Sequence, residues 1–129
     1  MNDPISDLLI RIKNAYMARK ENVEVPHSNM KLGVIEVLKR HGFVGKVLIK
    51  PDGVKKTMLI DLIYQDKIPK FNDVVMVSTP GKRVYVPYTK IPKVLGGLGI
   101  TIISTPKGIV SGKAAFKNKT GGELICKIW

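Results

Sequence analysis

The chain has 129 residues, of which 44% are apolar and 25% charged, with 22 Lys and Arg against ten Asp and Glu for a formal net charge of +12. That length and composition suit a folded protein whose core needs no covalent staples, and the imbalance fits a polyanion partner rather than the balanced surface of a typical soluble enzyme. One cysteine excludes an internal disulfide, two isolated histidines offer no metal-ligand spacing, and no apolar run reaches the ~18 residues that cross a bilayer, so neither metal, cofactor nor membrane is expected.

Met1-Asn2-Asp3-Pro4 lacks the basic and apolar regions of a signal peptide, and a cytoplasmic location is expected. Asp3 before Pro4 is a helix start, and Ile5, Leu8, Leu9, Ile12 and Tyr16 repeat at helical spacing up to about Lys20. Arg11, Lys13 and Asn14 lie off that apolar face. Residues 23–26 read as a short strand closed by proline. Ser28 caps a second helix with Leu32, Ile35 and Leu38 as its buried stripe, ended by Gly42. Strands over 43–50 and 57–63 are joined by the turn Pro51-Asp52-Gly53. Residues 1–66 thus form an α/β module in the order α-β-α-β-β.

Residues 65–73 are polar, contain Pro69 and read as a linker. Beyond them, strands over 74–79 and 83–87 make a hairpin around Pro80-Gly81. Residues 91–95 read as one or two helical turns ended by Gly96-Gly97. A β-branched strand over 100–103 leads to a small turn, Ser104-Thr105-Pro106-Lys107-Gly108, and a strand over 109–111 returns. Residues 112–119 read as a short weak helix or loop, and a turn at 120–123 enters a last strand over 124–129. Residues 67–129 therefore form a mainly β domain, and the fold class is α+β.

Charge divides unevenly between the two parts. Residues 1–66 carry eleven basic and eight acidic side chains, whereas residues 67–129 carry eleven and two, so the anion-binding face is expected in the second part. Two glycine patterns there fail as nucleotide sites. Gly97-Leu98-Gly99 lacks a third glycine and follows a helix, and Gly108 to Lys113 is one residue short of a phosphate loop, with Ala114 in place of the metal-binding hydroxyl. Only Asp73 and Glu123 supply carboxylates, Ser104 has no catalytic partner in reach of argument, and Cys126 sits in an apolar strand where a core role is expected. No active site emerges. Lys82 and Arg83 beside Tyr85 and Tyr88, and the hydroxyls and Lys107 of the 104–108 turn, instead suit phosphates and bases. Glu123, one carboxylate among lysines, suits either orienting a lysine or accepting a base amino group. The alternatives from other classes are an RNA-directed enzyme, which needs a titratable cluster, and a nonspecific DNA-compacting protein.

Asp3-Pro4-Ile5, Arg11-Ile12-Lys13-Asn14-Ala15, Val25-Pro26, Ser28, Gly42-Phe43, Pro80-Gly81, Arg83-Val84-Tyr85, Ile91-Pro92, Gly96 to Gly99, Ser104-Thr105, Lys107-Gly108 and Gly121-Gly122-Glu123 occur here in one order. In these blocks the chain resembles the bacterial type of small-subunit ribosomal protein eight over essentially its full length. The resemblance implies an N-terminal α/β domain packed on a mainly β C-terminal domain, and no enzymatic activity. It implies binding to an irregular stem in the central domain of 16S rRNA during subunit assembly, neighbouring small-subunit ribosomal proteins as partners, and, as in some bacteria of the family, repression of translation of its own operon mRNA. It assigns RNA contacts to Ser104, Thr105 and Lys107, to Gly121, Gly122 and Glu123, and to Tyr85, with weaker supporting contacts from Lys31 and Arg11; Gly108 and Arg83 join them as candidates on their own chemistry. One position departs from the pattern. Pro106 stands where a second serine is usual and offers neither a hydroxyl nor a backbone N–H.

Overall fold

Ile5, Leu8, Leu9, Ile12 and Tyr16 do form one buried face, that of α1 (Pro4–Met17), which also buries Ala15. The structure is a computed structural model that describes residues 3–129. The described residues form two units, Pro4–Asn72 and Asp73–Trp129 with Asp3, and residues 67–72 belong to the first.

In the first unit α1 stops where Arg19 takes a left-handed φ of 59°, and the amides of Arg19 and Lys20 turn back to the carbonyls of Tyr16 and Ala15. Strand β1 (Asn22–Pro26) leads to α2 (Asn29–Arg40), whose first turn is closed by Ser28 Oγ accepting from the Lys31 amide at 3.1 Å. Its other end is closed through Gly42. With φ at 79°, Gly42 lets its own amide reach the Lys39 carbonyl and the Phe43 amide reach that of Leu38. The buried stripe of α2 is Val34, Ile35, Val37 and Leu38, broader than the expected one, while Leu32 is half-buried.

Strands β2 (Val47–Asp52) and β3 (Lys55–Asp61) complete an antiparallel sheet in the order β1-β3-β2. The ladder continues to Asp52 opposite Lys55, so the loop is Gly53-Val54 rather than the expected Pro51-Asp52-Gly53. Pro51 is tolerated in the ladder because β2 is an edge strand, where a missing N–H breaks no interior pairing. Phe43 and Val44 are buried in the connection before β2 instead of opening the strand.

The stretch read as a linker contains a small hairpin, β4 (Tyr64–Gln65) with β5 (Ile68–Pro69), turning through Asp66 and Lys67 at φ of 53° and 66°. Two successive positive φ values match the twist of a two-residue hairpin loop. Tyr16, 1% exposed, ties this region down. Its hydroxyl donates to the Phe43 carbonyl at 2.6 Å and accepts from the Ile63 amide at 2.9 Å. Its ring stacks on Phe71 at 6.0 Å and meets Tyr64 edge-on at 5.4 Å.

The second unit is built on one strand. β10 (Gly122–Ile128) pairs along one edge with β8 (Ile100–Thr105), which pairs in turn with β9 (Gly108–Ser111). Along its other edge lie β6 (Val74–Met76) and β7 (Tyr85–Val86). The Pro80-Gly81 turn forms, with Thr79 bridged to Lys82, but its flanking strands do not pair with each other as a hairpin. They run onto successive parts of β10, because buried Ser78 turns the chain and its hydroxyl stands in for strand pairing. Ser78 Oγ accepts from the Val84 amide at 2.9 Å and donates to the Leu124 carbonyl at 2.8 Å. In place of one helix near residues 91–95 there are two short 3-10 turns, Tyr88–Lys90 and Leu95–Gly97. The short helix expected after residue 111 is α3 (Gly112–Lys117), capped by Ser111 Oγ. It packs Ala115 against Ile103 and Leu124, with Val77, Val86, Ile91 and Val110 around them.

The β10–β8 register shifts between Leu124 and Cys126, leaving Ile125 as an extra residue. The bulge turns Cys126 onto the opposite face from Leu124, beside Ile102. Cys126 is 0% exposed, and burial pushes its thiol up to about 12.

Two outcomes follow for stability. Tyr16→Phe leaves the Ile63 amide and the Phe43 carbonyl without that partner and costs about 1–3 kcal/mol by denaturant titration. Burial raises the Tyr16 pKa above its usual 10.0, so its neutral form favours folding only below that range. The stability gap to Tyr16→Phe narrows as pH climbs past 10. The Cys126 thiol of the folded protein is silent to a thiol reagent at pH 8 and reacts only on unfolding. Rapid labelling of the native chain would contradict that burial, and Cys126→Ala costs about 1 kcal/mol for the small cavity it opens.

Candidate nucleic-acid interface

Residues directly opposite one another in an antiparallel sheet share a face. Glu123 on β10 lies opposite Ser104 on one side and opposite Tyr85 on the other, and Ser104 lies opposite Ile109. Three strands thus bring Tyr85, Glu123 and Ser104 into one row, although they are far apart in sequence. Their chain neighbours Val86, Leu124 and Ile103 point the other way into the cluster under α3, which fixes the orientation of the row. Further along the same face Ile102, Cys126 and Ile128 are buried, so the row sits at the sheet's open end.

Tyr85 is 69% exposed and presents its ring at the rim. Arg83, two residues before it, reaches Glu123 with Nη1–Oε2 at 3.3 Å, and half of the arginine side chain stays open to solvent. Glu123 is thereby held by an arginine, not by one of the lysines expected from sequence. The pair keeps a fixed acceptor and a fan of unused guanidinium donors side by side.

Ser104 is half-buried and its hydroxyl makes no hydrogen bond among the described residues, so its donor and acceptor capacity is unused. Thr105 differs. Its hydroxyl donates to the Gly108 carbonyl at 2.8 Å and accepts from the Lys107 amide at 3.1 Å, closing the two-residue turn Pro106-Lys107. Thr105 therefore shapes the turn. Pro106 and Lys107 are exposed at its tip, and Lys107 has no ion pair among the described residues. Gly108, at φ 124°, accepts that hydrogen bond from Thr105.

Gly121 and Gly122 are held by the protein itself. A Cβ at Gly121 would stand 2.5 Å from the Val86 carbonyl oxygen, and one at Gly122 would overlap the Ser104 carbonyl. Only glycine allows β7 and β8 to close on this end of β10. Arg11 and Lys31 belong to the first unit and are no part of the row. Arg11 pairs with Asp7 at 3.5 Å, and Lys31 lies half-buried in the first turn of α2.

Ser78 is the residue that the sequence reading did not single out. It braces the row, because β7 pairs with β10 directly and the Ser78 hydroxyl adds bonds to Val84 and Leu124 just beyond that pairing. Its only sequence signal, a hydroxyl after an apolar run, is shared with many loop serines. Around the row residues 73–129 carry nine Lys and Arg against Asp73 and Glu123. No group of three His, Cys, Asp or Glu able to hold a metal occurs among the described residues, and none of their helices is long and apolar enough to cross a membrane.

The sequence has counterparts among known proteins. A family model described as Ribosomal protein S8 matches residues 3–129. The chain is 48% identical over 129 residues to the small ribosomal subunit protein uS8 of Dictyoglomus turgidum, covering 100% of this chain and 98% of that protein. It is 43% identical over 129 residues to the protein of the same name in Solibacter usitatus, covering 99% and 98%. With that of Roseiflexus castenholzii it shares 42% identity over 130 residues, covering 100% and 98%. The likeness runs through both units and takes in every strand of the row: this chain belongs to the ribosomal protein S8 family.

Proposed function

We propose that this chain is a primary rRNA-binding protein that holds an irregular stem in the central domain of 16S rRNA and supports assembly of the small ribosomal subunit. As a ribosomal protein S8 family member it is a ribosomal structural protein of the cytoplasmic ribosome and not an enzyme. The observation that carries the reading is the row Tyr85–Glu123–Ser104, with Arg83 bound to Glu123 and the Lys107 turn beside it, on a rigid sheet in a strongly basic unit. A regular A-form major groove is too narrow for side chains to read, so a rigid row of polar groups suits a stem whose bases are distorted or unpaired. Lysines and Arg83 neutralise phosphates and give salt-dependent affinity, while the Ser104 hydroxyl and the Glu123 carboxylate discriminate among base edges. Neighbouring small-subunit proteins complete its surroundings, and an mRNA stem of the same shape would occupy the same row, which is how the chain would repress its own operon.

The test is a titration against a central-domain fragment of 16S rRNA with duplex DNA as competitor. The stem is preferred at moderate salt, and equal binding to the duplex would favour a nonspecific DNA-compacting role instead. Lys107→Ala weakens binding to every RNA and flattens the log–log salt dependence by roughly 0.7 to 0.9, the loss of about one released counterion. Ser104→Ala removes no charge, so the salt slope holds while the cognate stem loses about 1–3 kcal/mol of affinity. A stem already lacking the partner base group binds the Ser104→Ala and unaltered proteins alike.

A further inference from the structure

α3 buries Ala115 against the sheet but leaves the next residue, Phe116, 60% exposed. The Phe116 ring is not loose. It meets Tyr88, on the 3-10 turn Tyr88–Lys90, edge to face at 6.0 Å and 61°. An edge-on tyrosine fixes the ring's orientation and leaves surface open to a further flat group. Lys113, three residues back on the same side of the helix, and Lys117 and Lys119 just beyond are all exposed, as is Lys90 on the neighbouring turn. None of these four lysines has an ion pair among the described residues. Between Asp73 and Glu123 the sequence contains no carboxylate at all.

We infer that Phe116, propped by Tyr88, is a stacking platform for one unpaired base of a single-stranded RNA segment, with Lys90, Lys113, Lys117 and Lys119 taking the phosphates on either side. The inference rests on the reading of the chain as an RNA-binding protein and adds a second contact to it. Because α3 covers the face of the sheet opposite to Ser104 and Glu123, a stem seated on the row leaves this platform free for a different segment. An exposed aromatic ring framed by unpaired cations matches a base between phosphates, since every base has a face to stack and stacking tolerates any sequence.

The probe is a short oligouridine carrying one central 2-aminopurine, mixed with the full chain, and its fluorescence is quenched when the reporter base stacks. Phe116→Ala abolishes the quenching and weakens binding about fivefold or more, while Phe116→Trp keeps both. Being exposed, the position changes thermal unfolding little. Phe116→Ala leaves affinity for the irregular rRNA stem unchanged, and Ser104→Ala weakens the stem but leaves the oligouridine alone. The platform is overturned if Phe116→Ala binds and quenches like the unaltered chain, if no quenching occurs at all, or if excess stem displaces the oligouridine. Loss of stem preference with quenching retained would instead sink the stem-binding reading and spare the stacking site.

Discussion

Both edges of β10 have to be hydrogen-bonded, and most of the second unit follows from how that demand is met. A buried strand cannot leave amides and carbonyls without partners. On one side β8 pairs with β10 from Glu123 to Ile128. On the other, two short strands share the work, and the join between them falls at Leu124 and Ile125. There the Ser78 hydroxyl takes the Leu124 carbonyl, the Val84 carbonyl takes the Leu124 amide, and the Ile125 carbonyl accepts from both Val77 and Ser78. One small polar side chain thus completes a ladder that two strands alone would leave open.

The same join determines what the open end of the sheet presents. Because β7 is held against Gly122 and Glu123, Tyr85 falls into line with Glu123 and Ser104, and Arg83 is close enough to grip the carboxylate. Just past the join the Ile125 bulge reverses the facing of the strand, so Cys126 and Ile128 enter the buried part of the face whose open end carries Glu123. A polar row and an apolar floor therefore coexist on one side of one sheet. The first unit uses a comparable economy, with the Tyr16 hydroxyl linking the connection after α2 to the segment after β3.

Helices were legible because their signals are local. The 3.6-residue spacing of α1, the Ser28 cap and the Gly42 stop each act within a turn or two. The element order and the α+β class followed from the same kind of signal. Long-range pairing was not legible. Pro80-Gly81 correctly marks a turn, yet nothing nearby says that the residues on its two sides will prefer β10 to each other. The β4–β5 hairpin escaped notice because Asp66-Lys67 makes its tight loop without the glycine that usually announces one. Likewise Leu124-Ile125-Cys126 reads as an unbroken apolar run, and only the register against β8 reveals that one of the three is an insertion. Within the candidate site, the sequence pointed to Ser104, Glu123, Arg83 and Tyr85, which the sheet does assemble. It could not separate the free hydroxyl of Ser104 from the engaged one of Thr105, since that distinction depends on the closure of a two-residue turn.

The placement of β10 also bears on the order in which the chain can fold. It is the last in sequence of the strands it joins, and its pairing with β6 brings Val74 against Ile128. While a ribosome is still synthesising the chain, β8 and β9 can zip into a hairpin, but β6 and β7 have no partner until residues 122–128 have emerged. The helices and local hairpins of the first unit face no such wait. Contacts of high sequence separation form slowly because the loop between them must be closed first. The second unit therefore matures behind the first, and during that interval its apolar strands and its cations are exposed together.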